Sequence, residues 1–347
     1  MTTGVPTGPG QEPLSGPLQI GPLRFDNRVA LAPMSGVTDA AMRRLARQHG
    51  AGIVVSEMVA SDLLATGDEE ARLRAEAPGK GPHIVQLAGR EPGWMGEAAR
   101  VAEAAGADMI DINMGCPAKR VTGGYSGSAL MRDLDLAVSL IVATVAAVSV
   151  PVSVKMRLGW DETSLNAPEL ARRAQDCGVS MVTVHGRTRC QFYKGRADWA
   201  AIRPVRDAIT VPLVANGDCA DATDARAMQA ASGADAVMVG RAAQGRIWLP
   251  GAIARALNEG GAAEPPSIDK QASIALDHYD GLLSLYGADA GVRHARKHLA
   301  SAMEAMASLG GAGDNRLRER VLTGESPAEV AADFLRFSDS LQWGLAA

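Results

Sequence analysis

Short apolar runs recur along the chain, each closing on polar or glycine-rich residues. They are Val29–Met34, Ile53–Met58, His83–Ala88, Met109–Met114, Val152–Arg157, Met181–Gly186, Pro212–Gly217 and Ala236–Arg241. Between most of them lie Ala/Arg/Leu-rich segments of helical character, such as Ala40–Gln48, Glu97–Ala105, Pro168–Gly178 and Asp221–Ser232. Strand–helix alternation predicts an α/β fold with a parallel sheet. Eight such units over roughly 240 residues match a closed (β/α)8 TIM barrel, which takes about 250. The alternative is an open doubly wound sheet, which ordinarily carries Gly-x-Gly-x-x-Gly after its first strand. Here the first run leads into Ala32-Pro-Met-Ser-Gly36 and no such fingerprint follows.

The rhythm stops at Asn258–Ser267 (NEGGAAEPPS), a composition break that reads as a linker. Beyond it the pattern is helical only: Ile268–Tyr286, Ala290–Ser308 and two shorter stretches. The expected organisation is a flexible tail over 1–17, a barrel over 18–257 and a small all-helical C-terminal domain over 265–347. The tail is rich in Gly, Pro and Thr and lacks the basic and apolar regions of a secretory signal.

Side chains alternate along a strand, so each run sorts its own residues. In Val152–Arg157 the apolar Val152, Val154 and Met156 share one face, while Ser153, Lys155 and Arg157 share the other. In the next run Thr183, His185 and Arg187 fall together. Asp111 and Asn113, Gln86, and Asn216 complete the inward polar set. Barrel interiors are normally filled by branched apolar residues, so polar side chains at the strand ends indicate a polar ligand at the C-terminal face. Taken singly, each has a structural reading: Lys155 as a solvated strand end, His185 as a satisfied core histidine, Gln86 as a loop cap. Their common position at one end of the barrel is what makes the case.

Asp111-Ile-Asn-Met-Gly-Cys-Pro117 is the most informative stretch, because it puts a cysteine where a buried strand becomes a loop. A thiol there can serve as acid, nucleophile or thiolate, or be only a small buried hydrophobe. Asn216-Gly-Asp218 and Gly240-Arg241 follow the seventh and eighth runs. In barrels these loops often hold a phosphate through backbone amides, glycines allow close approach, and Arg241 can pair with the phosphate oxygens. Asn-Gly-Asp is also a good turn in its own right.

Composition narrows the partners. A chain of 347 residues with 47% apolar content can build a sizeable core. The net charge of −4 excludes a generic polyanion binder, so any nucleic-acid contact must come from a local basic face. The four cysteines form no Cys-x-x-Cys pair and no metal-ligand spacing with histidine, so no metal is expected. Few cysteines in this length suit a reducing cytoplasm, and no apolar stretch reaches membrane-spanning length, so no membrane association is expected.

The motifs together resemble those of the tRNA-dihydrouridine synthases, most closely the bacterial B-type subfamily, which includes proteins labelled as nitrogen-regulation proteins. They are Ala32-Pro-Met-Ser-Gly-Val-Thr-Asp39, Val55-Ser-Glu-Met58, Gln86-Leu-Ala-Gly89, Asp111 to Lys119, Gly127-Ser-Ala-Leu130, Val154-Lys-Met-Arg157, Val184-His-Gly-Arg-Thr188, Ala215-Asn-Gly-Asp218 and Gly240-Arg-Ala-Ala-Gln-Gly245. The resemblance runs from about residue 18 to 255, with a weaker match at Ala295-Arg-Lys-His298. It implies an FMN-dependent enzyme that reduces selected uridines of tRNA to 5,6-dihydrouridine, with NADPH (or NADH) as reductant. The family's FMN contacts carry over onto Pro33, Met34, Ser35, Gln86, Lys155, His185, Asn216, Gly217, Asp218, Gly240 and Arg241. Its catalytic cysteine falls on Cys116 and its uracil-facing asparagine on Asn113. Arg187 joins Asn113 as an expected substrate contact, and Arg293, Arg296 and Lys297 are the expected tRNA contacts of the helical domain. The cluster Arg316–Arg320 is a further candidate. One departure stands out: after Ala-Arg-Lys-His the family usually shows aromatics, and this chain reads Leu299-Ala-Ser-Ala302.

The implied chemistry suits these residue types. No side chain carries hydride, so a cofactor must supply it. Reduced FMN would deliver hydride to carbon 6 of the uracil, and the Cys116 thiol, starting protonated, would give a proton to carbon 5. Lys155 and His185 would stabilise developing charge, and the base must leave its stack to reach the flavin. Two other functions compete: a flavin barrel enzyme acting on a free pyrimidine or an enone, and a non-catalytic RNA-binding regulator. The intact Cys116, Lys155 and His185 set argues against lost catalysis.

Overall fold

The structure, a computed structural model, describes residues 13–345; most of the expected N-terminal tail lies outside the described residues. A short antiparallel hairpin, β1 (Leu18–Ile20) and β2 (Leu23–Phe25), precedes eight parallel strands. These are β3 (Val29–Leu31), β4 (Ile53–Ala60), β5 (Ile84–Ala88), β6 (Met109–Met114), β7 (Val152–Arg157), β8 (Met181–His185), β9 (Leu213–Asn216) and β10 (Ala236–Val239). They close in sequence order, β10 pairing with β3, into a (β/α)8 barrel. Every apolar run of the sequence became one of these strands. The hairpin leaves no mark in the apolar pattern, because three-residue strands are too short for periodicity to register. Within residues 13–17, expected as part of the tail, Leu14 is buried and its carbonyl accepts the Arg28 amide at 3.1 Å, while Pro13 and Pro17 are exposed.

The barrel holds two apolar layers and one polar one. Outward residues of the strands, including Val152, Val154, Met156, Val182 and Val184, pack against the surrounding helices. Inward residues at the strand starts, among them Ile53, Ile84, Met109, Met181 and Val214, form a separate cluster with Leu18, Ile20 and Phe25 of the hairpin. The hairpin therefore plugs the N-terminal end and leaves the C-terminal end to the polar set. Asp39 caps the Ala40–Gln48 helix by accepting the Met42 amide at 2.9 Å, and Asp221 caps Ala222–Ser232 by accepting the Asp224 amide at 2.8 Å.

Helices Ile268–Tyr286, Ala288–Gly310, Asn315–Thr323 and Pro327–Leu345 follow, sharing a core of their own around Tyr279, Leu299, Met303, Met306, Phe334 and Phe337. The last of these spans 19 residues rather than the short stretch expected. The Ile268–Tyr286 helix lies on the barrel's Ala40–Gln48 helix. Their approach requires Gly281, where an added Cβ would come within 2.5 Å of the Ala41 Cβ. Among the described residues no helix is long and apolar enough to cross a membrane.

Candidate active site

Strand register aligns the inward polar residues in ranks around the barrel. Asn113 and Thr183 flank Lys155, while Arg157 and Asn216 flank His185. Below them a hydrogen-bonded chain runs across three strands. Ser153 Oγ donates to Asp111 Oδ1 (2.6 Å), Gln86 Nε2 donates to Asp111 Oδ2 (2.6 Å), and Asn113 Nδ2 donates to Gln86 Oε1 (2.8 Å). Asn113 Oδ1 then accepts the backbone amides of Gly115 (3.1 Å) and Cys116 (3.0 Å). The Cys116 carbonyl accepts both the amide and the hydroxyl of Ser128, at 3.1 and 2.9 Å. The cysteine's backbone is thus fixed from both sides, while its residue is half-buried and its thiol free of any disulfide. Burial raises the Asp111 carboxyl, and the Gln86 and Ser153 donors oppose that rise.

Above this chain opens a pocket of about 810 Å³, within the size range of cofactor sites. Its walls include Pro33, Met34, Ser35, Gln86, Asn113, Cys116, Lys155, His185, Arg187, Asn216, Gly217, Asp218, Gly240 and Arg241. The barrel residues expected to hold cofactor or substrate therefore meet at one cavity, while Asp111, Ser153 and Thr183 are buried and do not line it. Lys155 Nζ donates to Asn216 Oδ1 at 3.2 Å, and burial beside Arg157 pulls its pKa down to about 8. Burial, with Lys155 and three arginines nearby, holds His185 well below its ordinary value, so the ring is neutral. Arg187 Nη1 lies 3.2 Å from His185 Nε2. Arginine can only donate, so Nε2 accepts and the ring proton sits on Nδ1.

Gly217 and Asp218 turn the chain after β9 with φ of +125° and +55°. Glycine is required at 217, since a Cβ would meet His185 Cδ2 at 3.0 Å and the Ala197 Cβ at 2.6 Å. The Asp218 carboxylate pairs with Arg187 and, at 3.0 Å, with Arg241 Nη2, and these donors hold its pKa down against partial burial.

Three of the expected contact residues spend most of their polar groups within the protein. Arg187, expected to touch substrate, is buried to 1% exposure and its donors go to the Lys194 and Gly195 carbonyls, His185 and Asp218. It props the pocket wall. Asn113 lines the pocket, yet its oxygen and one N–H are taken up in holding the Cys116 loop and Gln86. Arg296 was expected on a shared basic face with Arg293 and Lys297. It is half-buried and its Nη2 reaches the carbonyls of Thr323 (3.5 Å) and Gly324 (3.3 Å), while Arg293 and Lys297 are exposed. In the second basic cluster, Arg318 pairs with Glu304 and Arg320 with Asp333.

Arg157 and Tyr193 also line the pocket, and neither carries an expected role from the sequence. Arg157 is 1% exposed; its Nε donates to the Gly115 carbonyl (2.8 Å), and its Nη1 to those of Thr188 (2.9 Å) and Phe192 (2.8 Å). It clasps the cysteine loop to the loop after β8. Its signal was present, since it shares the inward phase of Ser153 and Lys155. Tyr193 stands over the pocket, its ring 5.1 Å from the Arg241 guanidinium and 5.4 Å from that of Arg157. It lies on a loop, where no period marks it.

A parallel barrel whose mouth gathers a free cysteine, a lysine of lowered pKa, a neutral histidine and a bridged arginine pair defines a barrel enzyme. The chain matches the dihydrouridine synthase (Dus) family over residues 30–340 and belongs to that family, which places it among the oxidoreductases. It is 57% identical to a "probable tRNA-dihydrouridine synthase" of Rhizobium leguminosarum bv. phaseoli, over 88% of this chain and 93% of that protein. A "tRNA-dihydrouridine synthase B" of Xanthomonas axonopodis pv. citri is 47% identical, over 81% of this chain and 85% of the other. Among solved structures, the old yellow enzyme homologue of Zymomonas mobilis is similar with a TM-score of 0.53 at 17% identity, covering 75% of this chain and 96% of that one. That likeness concerns the fold alone.

Proposed function

We propose that this protein is an FMN-dependent tRNA-dihydrouridine synthase acting in the cytoplasm, with NADPH or NADH as reductant. The observation that carries the reading is Cys116 held by Asn113 at the rim of the 810 Å³ pocket, on the cavity that also presents Lys155 and His185.

The pocket suits FMN on chemical grounds. Lys155 offers a half-buried ammonium with Asn216 Oδ1 as its protein acceptor, a donor suited to the electron-rich edge of a flavin. Arg241, half exposed beside Gly217 and Asp218, is suited to a phosphate. Pro33, Met34 and Ser35, on the loop after β3, supply a further part of the wall. Bound and reduced, the flavin supplies the hydride. The remaining work falls to the protein: Cys116 gives its thiol proton to carbon 5 of the uracil and recovers it from solvent, balancing the hydride added at carbon 6. His185, with its proton on Nδ1, and Lys155 steady negative charge on the substrate.

The RNA path runs from the helical domain to the mouth. Lys297 Nζ would lie only 3.3 Å from a Cβ at Gly36, so the exposed basic face of the Ala288–Gly310 helix adjoins the loop after β3. Exposed Tyr125 and Tyr193 stand on the loops after β6 and β8, as stacking surfaces for unpaired bases.

The test is mass-spectrometric mapping of dihydrouridine in tRNA from a strain lacking the gene and from the same strain carrying wild type or Cys116→Ala. Loss of dihydrouridine at defined positions, restored only by wild type, is expected. Unchanged dihydrouridine in the deletion strain, or a purified protein that takes up no FMN, would contradict the proposal.

A further inference from the structure

Sequence spacing offered no metal site, yet the fold gathers three ligand-type side chains from positions up to 259 residues apart. Asp39, at the N-cap of the barrel's Ala40–Gln48 helix, meets His278 and His298 of the two long C-terminal helices. His278 Nε2 lies 2.9 Å from Asp39 Oδ2, and His298 Nε2 lies 3.9 Å from the same oxygen. All three ligand atoms fall within 4.8 Å of one another, and the side chains are 4%, 3% and 11% exposed.

A second, independent observation points to something bound there. A cavity of about 20 Å³ adjoins the two histidines and is lined also by Trp248 and Gln271. Trp248 Nε1 and Gln271 Oε1 are both buried without a hydrogen-bond partner, although Gln271 Nε2 donates to the Pro266 carbonyl at 2.8 Å. One orphan is a donor and the other an acceptor. Buried polar atoms are almost always satisfied, and the cavity exceeds the ~10–15 Å³ that one water needs.

We propose that Asp39, His278 and His298 bind one divalent transition-metal ion of the zinc class, with a water in the adjoining cavity as fourth ligand, and that the ion fastens the helical domain to the barrel. The donor set is suitable: two imidazoles and one carboxylate are borderline ligands that zinc accepts in tetrahedral geometry. Ligand atoms around such an ion stand roughly 3.3 Å apart, which the trio reaches by small side-chain rotations. Metal-bound water uses a lone pair on the ion, leaving it able to accept from Trp248 Nε1–H and donate to Gln271 Oε1. The two orphans are complementary to that ligand. Coordination needs both Nε2 atoms unprotonated, so each ring carries its proton on Nδ1. The other Asp39 oxygen already accepts the Met42 amide at 2.9 Å, which orients the carboxylate. Burial beneath two helices leaves no path for a substrate, so the role is structural rather than catalytic.

The experiment uses the full chain, stripped with a chelator and then titrated with Co2+ and, separately, Zn2+. We expect one Co2+ per chain, with the strong visible bands of a tetrahedral nitrogen–oxygen site and no sulfur charge-transfer bands, which excludes the four cysteines. Zn2+ should displace the Co2+ and raise the melting temperature. His298→Ala and His278→Ala should each lower Co2+ affinity more than about tenfold while leaving flavin content unchanged. Wild type that binds no stoichiometric Co2+ overturns the proposal, as do bands of sulfur ligation or a His298→Ala protein that binds Co2+ equally well. The histidines would then be a hydrogen-bonded junction around a trapped water. Because wild type alone decides the first of these outcomes, an unstable variant does not blunt the test.

Discussion

Asn113 Oδ1 accepts the Cys116 amide at 3.0 Å and the Gly115 amide at 3.1 Å, so one side chain sets where the thiol begins. Asn113→Ala should free that loop without removing the thiol, and it leaves Lys155 and Arg241 in place. The expected result is a kcat reduced by about 10²-fold, from lost positioning, with the protein still yellow. Asn113→Asp should not rescue it if ionised, since a second carboxylate would then face buried Asp111 through Gln86. Stopped-flow rates of flavin reoxidation by tRNA check this; a normal rate in Asn113→Ala would make the asparagine only a lining residue.

Lys155 gives a pH dependence with a definite sign. Burial lowers its pKa to about 8, so in the empty pocket the ammonium is present below pH 8 and lost above it. FMN affinity of the apoprotein should weaken as pH rises through this range, and Lys155→Met should show a flat, weaker profile. The same burial penalises the charged form in the folded state. Lys155→Met should therefore stabilise the apoprotein by about 1–2 kcal/mol below pH 8, the gain fading as pH approaches the unfolded lysine value. Flavin-quenching titrations and melting curves at several pH values test both halves.

Asp218 holds two guanidinium groups, one of them the buried Arg187. Asp218→Ala leaves that charge unpaired, and breaking a buried pair from one side commonly costs about 3–5 kcal/mol. Partial exposure of Asp218 puts the expectation at the low end. We expect a clear fall in melting temperature together with loss of flavin, because Arg241 loses its anchor. Asp218→Asn, which keeps the shape and some hydrogen bonding, should retain more of both.

The barrel was legible because its eight strands are continuous apolar runs and its inward polar residues keep strict alternation, as Ser153, Lys155 and Arg157 do. Glycine and asparagine at 216–217 marked their turn for the same local reason. What alternation cannot convey is how donors are spent. Arg187 has the right phase for a substrate contact, yet the Lys194 and Gly195 carbonyls and Asp218 occupy it. Tyr193 reaches the pocket from a loop, and the Asp39–His278–His298 meeting depends on how the C-terminal helices dock. None of these is encoded in a local period. Arg296 shows the same limit on a helix: its spacing fits Arg293, but its guanidinium turns to the end of a neighbouring helix.

That placement changes the expected RNA footprint. Arg293 and Lys297 are the exposed pair on the Ala288–Gly310 helix, so Arg293→Gln with Lys297→Gln should weaken tRNA binding and flatten its salt dependence by up to about two contacts' worth of slope. Arg296→Ala should instead lower the melting temperature and leave the slope nearly unchanged. Affinities measured at several salt concentrations separate the two; an unaltered slope in the double variant would move the RNA path to the loops after β6 and β8.

The proposed function depends above all on Cys116 supplying the proton for uracil reduction at a flavin-bearing barrel mouth. The most direct measurement is a single turnover: wild type and Cys116→Ala are reduced by NADPH, mixed anaerobically with unmodified tRNA, and followed by flavin absorbance and dihydrouridine content. We expect equal flavin content and equal reduction by NADPH, but dihydrouridine formation slowed by about 10²–10⁴-fold in the variant. Turnover in Cys116→Ala at the wild-type rate would contradict it.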